Sequence, residues 1–484
     1  MNYKMMGRLI GLILVVEAAF MLPAAAICLY DRDWHVFYSF LVTMGLMLAV
    51  AALLLWVGHR ADKGFYAREG MVCVGISWLV LSLFGCLPFW FSREVPHFID
   101  ALFETVSGFT TTGASVLPDV ESLSRGLLYW RSFSHWLGGM GVLVFILAVI
   151  PISGRNTGFT VHLLRAESPG PNVGKLVPRM RQTATILYLI YILLTVLNFL
   201  FLLFGGMPVF DAVCTAIGTA GTGGFGIKND SMASYSPYIQ TVCTVFMLLF
   251  GVNFSCFYLL LLRRVRAVLR DEELHMYAAL VVGSIVLITL NVRHMYPTIG
   301  ETIHQAAFQV ASVVTTTGFA TTDFELWPSF SRALLLCLMV FGGCAGSTAG
   351  GMKCGRILLL IKALRRNVRR VLHPSKVESV RVNGEPVDEK VLQNTNAYLA
   401  AYVVILLVSF LILSLDGFSL TTNFSAALSC FNNIGPGLSA VGPTRNYAAF
   451  SDLSKVTLIV DMLAGRLEIF PVLALFSRST WKGQ

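Results

Sequence analysis

Four short runs rich in threonine, glycine and asparagine are the part of this chain best suited to coordinate a metal cation. They read G-F-T-T-T-G at Gly108–Gly113, G-T-G-G-F at Gly221–Phe225, T-T-T-G-F at Thr315–Phe319 and F-N-N-I-G at Phe431–Gly435. With the last glycine of each run aligned, successive copies are 111, 94 and 117 residues apart. Regular recurrence of this kind indicates four repeated units fused in one polypeptide.

These runs offer neutral oxygen ligands. Glycine disfavours helix and permits backbone angles closed to other residues, so successive carbonyls can point at one axis and replace the water around an ion. Divalent cations prefer carboxylates, and Glu104 is an acid beside one copy only. The pattern therefore favours a monovalent cation. The candidate ligands are Thr111, Thr112, Gly113, Thr222, Gly223, Gly224, Thr316, Thr317, Gly318, Asn433, Ile434 and Gly435.

The rest of the sequence predicts a membrane protein around these runs. Of its 484 residues, 56% are hydrophobic and only 13% are charged, whereas soluble domains carry about 25% charged residues. The apolar stretch near the N-terminus is about 20 residues long, too long for the apolar part of a signal peptide, so we expect an uncleaved span. The ten cysteines form no metal-binding pattern, and we expect them to be reduced packing residues.

Hydropathy predicts ten full-length spans, near 6–29, 36–57, 71–92, 131–151, 183–206, 237–262, 275–292, 332–361, 396–415 and 454–477. Most lysines and arginines lie in alternate connecting segments, so the net charge of +9 is typical of topology signals rather than of nucleic-acid binding. Because basic loops stay inside the cell, both termini are predicted to be cytoplasmic.

Four apolar segments between paired spans are too short to cross: Phe98–Phe109, Phe210–Ala220, Ile303–Val314 and Thr422–Phe431. Twelve helical residues reach about 18 Å, against a hydrocarbon core of about 30 Å, so each must enter and turn back. The predicted fold is an all-α polytopic membrane protein, with two N-terminal spans and four fused span–pore helix–span repeats around a pseudo-fourfold pore. The predicted parts are 1–69 (extra spans), 70–152, 182–263, 274–363 and 394–478 (repeats), and 153–181 and 364–393 (cytoplasmic loops).

A glycine-rich interruption divides the second span of the third repeat. The segment Phe341–Lys353 contains five glycines in thirteen residues, each costing up to about 1 kcal/mol in a helix relative to alanine. We interpret it as a movable intramembrane loop, and close helix packing through small residues is the alternative. The candidate gate residues are Gly342, Gly343, Gly346, Ser347, Thr348, Gly350, Gly351 and Lys353.

Three sites within the predicted spans carry charged or aromatic side chains whose roles must be explained. Arg466 lies within the last span, where a charge costs about 2.5–3.5 kcal/mol, so it either faces the pore as a barrier to cations or pairs with Asp461 or Glu468. For Glu17 a helix-packing hydrogen bond is predicted in preference to ion binding. His135 and Trp136 are predicted to be anchors at the membrane edge.

The chain resembles the Trk/Ktr/HKT potassium transporters. The resemblance rests on S-G-F-T-T-T-G-A-S at Ser107–Ser115, T-T-T-G-F-A-T-T at Thr315–Thr322 and N-N-I-G-P-G at Asn432–Gly437. The two extra N-terminal spans and the whole-chain match point to the bacterial TrkH/TrkG branch. The resemblance implies filter glycines at Gly113, Gly224, Gly318 and Gly435, and the first of these fits potassium rather than sodium. In the second repeat, however, Gly223 competes with Gly224 for the register.

The resemblance also implies a function and partners. It implies potassium uptake across a bacterial inner membrane, with the third-repeat loop obstructing the pore and Arg466 below the filter. It further implies a homodimer docked on a cytosolic TrkA-type ring that binds nucleotides of the NAD and ATP class, through loops 152–182, 263–274 and 353–394. No cofactor is expected on this chain.

Three other classes of function stay open at this point. The first is a secondary transporter that couples K⁺ to H⁺ or Na⁺, although such coupling usually requires an acid at the binding site. The second is a regulatory membrane subunit that does not conduct. A membrane enzyme is the third, and the absence of a phosphate loop, a catalytic triad and a metal cluster from the sequence argues against it.

Overall fold

The computed structural model describes residues 1–59, 67–139, 141, 180–375 and 378–481, and these are mostly helical. The second half of the predicted span 131–151 and the predicted loop 153–181 lie almost wholly outside the described residues. In chain order the helices are α1 (Tyr3–Tyr30), α2 (Trp34–Val57), α3 (Ala67–Gly85), α4 (Leu87–Phe91), α5 (Phe98–Phe109), α6 (Arg125–Gly139), α7 (Met180–Phe204), α8 (Val209–Gly221), α9 (Pro237–Phe250), α10 (Phe254–Leu261), α11 (Val265–Val268), α12 (Glu272–Val292), α13 (Ile299–Val314), α14 (Ser329–Leu338), α15 (Cys354–Leu372), α16 (Glu389–Leu413), α17 (Leu420–Phe431), α18 (Asp452–Arg466), α19 (Phe470–Phe476) and α20 (Arg478–Trp481). Short 3-10 turns cover Arg293–Met295, Phe324–Leu326, Ser414–Asp416 and Ser439–Val441.

Six of the described helices are long and apolar enough to cross a membrane: Tyr3–Tyr30, Trp34–Val57, Arg68–Phe91, Ala184–Phe204, Glu272–Met295 and Glu389–Asp416. A seventh span is formed if α9 and α10 are taken together, although they meet at a bend of 88°. The remaining three predicted spans are divided by a break or lie partly outside the described residues. The sequence did not reveal the bend between α9 and α10, because the average hydropathy of the two helices together is that of a continuous span.

The four short helices α5, α8, α13 and α17 are the predicted half-helices, and their observed limits lie within four residues of the predicted ones. Two begin with side-chain caps: Thr298 accepts a hydrogen bond from the Glu301 N–H at 3.2 Å, and Ser419 accepts one from the Thr422 N–H at 3.2 Å. Caps of this type fix where a helix starts. The C-terminal half of α5 is buried on every side, as expected of a helix enclosed by others.

The repeats pack in a closed ring. Each half-helix lies against its own second helix or against that of the preceding repeat: α8 packs on α6, α13 on α9, and α5 on α18 of the last repeat. An ion pair between Lys455 Nζ and Asp100 Oδ1 at 2.6 Å joins α18 to α5 and so ties the last repeat to the first. The helices α1 and α2 pack along each other, and α1 also contacts α3 and α6 outside this ring.

One small antiparallel hairpin follows α15. Its strands are β1 (Arg381–Val382) and β2 (Glu385–Pro386). The turn residue Asn383 accepts a hydrogen bond from the Glu272 N–H at 2.9 Å and donates one to Asp271 at 3.2 Å. The hairpin is therefore attached to the first turn of α12.

The prediction for the cysteines is confirmed, whereas the prediction for Glu17 is not. All ten cysteines are free thiols, and all except Cys337 are buried, in agreement with packing residues. Glu17 is 1% exposed, but within the described part of the chain neither of its carboxylate oxygens has a hydrogen-bond partner. The predicted packing hydrogen bond is therefore not formed there.

Candidate ion pathway

All four half-helices end in the same backbone motif. Each helix end is followed by a left-handed residue: φ is 55° at Thr111, 52° at Thr222, 56° at Thr316 and 55° at Asn433. The N–H of the next residue donates back to a helix carbonyl five positions earlier, in four equivalent bonds of 2.8 to 3.0 Å: Thr112 to Ser107, Gly223 to Gly218, Thr317 to Ser312 and Ile434 to Ser429. This is the glycine-type helix termination, formed here without glycine at the left-handed position.

Threonine at a left-handed position is strained, at a cost of about 1–3 kcal/mol each. Residues in such conformations persist only where the surroundings hold them. The side chains of Thr111, Thr222, Thr316 and Asn433 are all fully buried, which places hydroxyl and amide oxygens at the ends of the half-helices.

The four glycines that follow form a ring. Each has a left-handed φ, from 74° at Gly224 to 100° at Gly435. A Cβ atom added to any one of them would overlap a carbonyl oxygen of the next repeat: Gly113 with Gly223, Gly224 with Thr317, Gly318 with Ile434 and Gly435 with Thr112. Two independent constraints, the φ angle and the close approach, therefore require glycine at each position. The approaches run from the first repeat to the second, third, fourth and back to the first, so the ring is closed.

The ring also establishes the alignment of the second repeat. The carbonyls that approach the glycines belong to Thr112, Gly223, Thr317 and Ile434, each immediately before its glycine. Gly223 thus has the backbone position of Thr112, and Gly224 has that of Gly113. All twelve residues predicted as ligands lie together in this structure, which we call the glycine ring.

Hydroxyl groups brace the ring from behind in two repeats. Thr110 and Thr112 are joined through their Oγ1 atoms at 2.8 Å, and Thr315 and Thr317 at 2.7 Å. Asn433 donates from Nδ2 to Thr112 Oγ1 at 3.0 Å, across the contact between the fourth and first repeats. The first and third copies are therefore alike, and the asparagine pair of the fourth makes a different contact.

Residues 339–353 separate α14 from α15, as the glycine count predicts. The Gly350 N–H donates to Thr316 Oγ1 at 2.6 Å, so this segment, which we call the gate loop, touches the end of the third half-helix directly. The loop also packs on the bend between α9 and α10, where Gly346 accepts from the Phe254 N–H at 3.0 Å and Gly251 accepts from the Cys344 N–H at 2.9 Å.

The other predicted gate residues hold the loop in shape. Gly342 donates to Met352 O at 2.8 Å, and Gly343 O accepts from the Cys354 N–H at 3.1 Å, which closes the base of the loop. Within it, Ser347 Oγ donates to Cys344 O at 2.6 Å and Lys353 Nζ donates to Ala349 O. Gly346 and Gly351 have φ angles of 72° and 66°.

The base of the gate loop is held by one carboxylate. Glu273 Oε1 accepts from the Ala345 N–H at 2.6 Å and from the Gly355 N–H at 2.8 Å. A single oxygen atom thus binds the chain at both ends of the segment 346–354, which forms most of the loop. Glu273 lies in the first turn of α12, next to the residue that the β-hairpin contacts.

Arg466 joins three repeats beneath the ring. Its guanidinium donates to Thr348 O of the gate loop at 2.9 Å and to Gly138 O and Gly139 O at the end of α6, at 2.5 and 2.7 Å. The two acids considered as its partners make other contacts. Glu468 forms an ion pair with Arg356, and Asp461 accepts a hydrogen bond from Ser409 at 2.7 Å.

The sequence interpretation of His135 is wrong. Its side chain is fully buried, and its Nδ1 lies 2.8 Å from Gly108 O near the end of α5. The extra glycines of the second repeat, Gly221 and Gly223, were the available signal, because a Cβ on either would overlap His135.

Comparisons with known proteins identify the family of the chain and relatives of the same fold. A family model described as "TrkH: Cation transport protein" matches residues 38–482. The chain is 37% identical to the Trk system potassium uptake protein TrkH of Salmonella typhimurium and to that of Escherichia coli strain K12, over 100% of each chain. Its fold matches the crystal structure of the potassium transporter TrkH from Vibrio parahaemolyticus, with a TM-score of 0.88, 32% identity and 100% coverage of both chains.

Proposed function

This chain belongs to the TrkH family of cation transport proteins, and from that premise we propose that it conducts potassium ions into the cell through the glycine ring. The observation that carries the proposal is the closed sequence of four glycine-to-carbonyl approaches around one axis. Such a ring presents neutral carbonyl oxygens at close quarters, the arrangement that replaces the water around K⁺ in known filters.

Electrostatics supports a cation at this position. The C-terminal ends of α5, α8, α13 and α17 all terminate at the ring, and each helix end carries about half a negative charge. Inward movement of one positive charge gains about 2.3 kcal/mol per 100 mV of membrane potential. Accumulation of K⁺ therefore needs no catalytic site on this chain, and we assign it no enzyme activity and no resident cofactor.

We assign the gate loop and Arg466 to the control of conduction. Two contacts support this assignment: the Gly350 N–H donates to Thr316 Oγ1 next to the ring, and the positive charge of Arg466 lies beside Thr348 of the loop. A fixed positive charge raises the barrier to a cation. Opening requires the loop to leave Thr316 and Arg466 to release the Thr348 carbonyl.

We assign the chain to the bacterial inner membrane with both termini in the cytoplasm. Residues 1–69 form the extra spans, 70–152, 182–263, 274–363 and 394–478 form the four pore repeats, and 153–181 and 364–393 form cytoplasmic loops. The proposed assembly is a homodimer on a TrkA-type ring that carries the nucleotide sites. The β-hairpin and α11 lie within the segments 353–394 and 263–274 proposed to contact that ring.

Reconstitution in liposomes tests the proposal. Purified protein should release K⁺ down its gradient, and Na⁺ far more slowly, in a current that reverses at the K⁺ equilibrium potential at every pH. Reversal that moves with pH or with the Na⁺ gradient would indicate coupled transport instead. Absence of K⁺ flux, together with failure to restore growth of a potassium-uptake-deficient bacterium with and without the partner ring, would refute conduction.

A further inference from the structure

Two buried side chains one turn apart on α6 reach across to the second repeat. Arg131 and His135 are 4% and 0% exposed, and both contact the segment Phe225–Gly226, which directly follows the glycine ring of the second repeat. Residues four apart share one face of a helix, so α6 presents a polar pair to a neighbouring repeat inside the protein.

His135 bridges the two repeats with both ring nitrogens. Nε2 accepts from the Phe225 N–H at 3.2 Å, so Nδ1 carries the proton and donates to Gly108 O at 2.8 Å. This assignment of the tautomer follows from the network, because a backbone N–H can only donate. The imidazole also lies against the Phe225 ring, with centroids 4.2 Å apart.

Arg131 contacts the same segment at Gly226 and at the Phe225 ring. Its NH1 donates to Gly226 O at 2.8 Å, and its guanidinium lies 3.5 Å from the centre of the Phe225 ring. Glu104 of α5 balances its charge at 2.5 Å and also accepts from the Val116 N–H, on the chain that leaves the first-repeat ring. A buried ion pair with these additional hydrogen bonds gives a defined geometry.

The imidazole explains why the second repeat departs from T-T-T-G. The three atoms nearest to a Cβ added at Gly223 are all in the His135 ring, and they would overlap it. Gly223 has no positive φ, so its backbone alone does not demand glycine. At the equivalent positions of the other repeats the residues are Thr112, Thr317 and Ile434, and they have room for a side chain.

We propose that His135, supported by Arg131, is a positioning residue for ion selectivity, which holds the second-repeat segment of the glycine ring against the first. The proposal rests on the proposed function of the ring. His135 does not touch the ion. It fills the space that a side chain at Gly223 would take and anchors Phe225, and thereby sets where the Gly223 carbonyl lies relative to Gly113.

The first test replaces His135 by leucine and by glutamine. His135→Leu removes both hydrogen bonds at similar volume, and we expect the permeability ratio of Na⁺ to K⁺ to rise by about fivefold or more, since each bond contributes about 1 kcal/mol. His135→Gln keeps one donor and one acceptor, and the ratio should return towards that of the unmodified protein. Trp136→Phe on the same helix loses a hydrogen bond to Thr195 at 3.3 Å and part of the ring that stacks on Tyr191, but no contact with the glycine ring. It is the matched control and should leave the ratio unchanged.

The second test is a double-mutant cycle between His135 and Gly223. Gly223→Ala alone should impair selectivity more than any other single change at this contact, because the new methyl group meets the imidazole. In the presence of His135→Ala the same methyl group has space, so the double variant should discriminate better than Gly223→Ala alone. Additive effects would show that the imidazole is not what requires glycine there.

The outcomes separate this proposal from the one it rests on. If unmodified protein conducts K⁺ selectively but His135→Leu, folded by size-exclusion chromatography, keeps the same ratio, the positioning role is refuted and the pore is not. If leucine and glutamine are equally impaired, hydrogen bonding is not the mechanism. Absence of K⁺ flux through unmodified protein would instead refute the proposed function.

Discussion

The glycine ring and the level directly beneath it differ in symmetry. In the ring, the four copies share left-handed angles, helix-ending hydrogen bonds and a cyclic set of close approaches. Beneath it, the second helices break in different ways: at 251–253 in the second repeat, over 339–353 in the third and at 467–469 in the fourth. In the proposed pore, one ion on the axis demands equal contacts from all sides, whereas one obstruction is sufficient to close the pathway. On that proposal only the ring needs fourfold regularity.

The largest effect is expected from breaking the ring itself. Gly113→Ser adds a side chain at a position where even a Cβ atom would overlap the Gly223 carbonyl. The left-handed φ of 78° adds strain for any residue other than glycine. We expect discrimination between K⁺ and Na⁺ to fall by at least about tenfold. Bi-ionic reversal potentials in liposomes measure this ratio, and an unchanged ratio in folded protein would remove Gly113 from the filter.

A shortened gate loop should separate conduction from selectivity. Deletion of residues 346–350 removes the contacts of the loop with Thr316 and Arg466 but leaves Glu273 and its anchor at Ala345. Basal K⁺ flux without the partner ring should rise by about tenfold, since two contacts of about 0.7 kcal/mol each are lost, or about 1.4 kcal/mol together. Selectivity should persist, because the ring is untouched. A folded variant with lower flux would contradict the gate.

Substitution of Arg466 tests the charge beneath the ring. Arg466→Ala removes the cation and three hydrogen bonds to carbonyls, of which the bond to Thr348 O holds the gate loop. We expect basal flux to rise by about fivefold, the value of that one bond. Arg466→Lys keeps the charge and Arg466→Gln keeps only donors, so the two variants distinguish an electrostatic barrier from a structural tie. If all three conduct like the unmodified protein, the residue has no part in gating.

The smallest and sharpest comparison uses two equivalent threonines. Thr316→Val removes the hydroxyl that accepts from Gly350, and flux should rise by about two- to fivefold, the value of one hydrogen bond. Thr111→Val is the matched control, because the Thr111 hydroxyl has no hydrogen-bond partner in the described part of the chain. Equal changes in the two variants would show that the gate loop does not act through Thr316.

The sequence predicted the features that local composition determines. The half-helices are short apolar runs with polar ends, and the gate loop is a concentration of glycine, so the positions of both could be read directly. The helix breaks at 251–253 and 467–469 were not predicted, because hydropathy is averaged over a window that is longer than either break. Asn253, which caps α10 by accepting from the Ser255 N–H at 2.9 Å, and the left-handed Glu468 and Ile469 carry no comparable signal.

The buried position of His135 was not predicted, for a different reason. A histidine within an aromatic stretch has the composition of a membrane-edge anchor, and only the partner repeat, 90 residues away along the chain, shows otherwise. The signal was present in the second repeat as glycines that the filter pattern did not require. A departure from a repeated motif can thus record a contact made by another segment.

The shared anchor at Glu273 has a mechanical consequence. Because Ala345 and Gly355 both donate to one oxygen atom, the two ends of the intervening segment are held together. This segment can swing about that fixed point without unravelling α15, so little backbone order is lost when it moves. A tilt of α12 would also shift both ends of this segment at once. The β-hairpin is bound to the first turn of α12, so a force applied to the hairpin would act on that tilt.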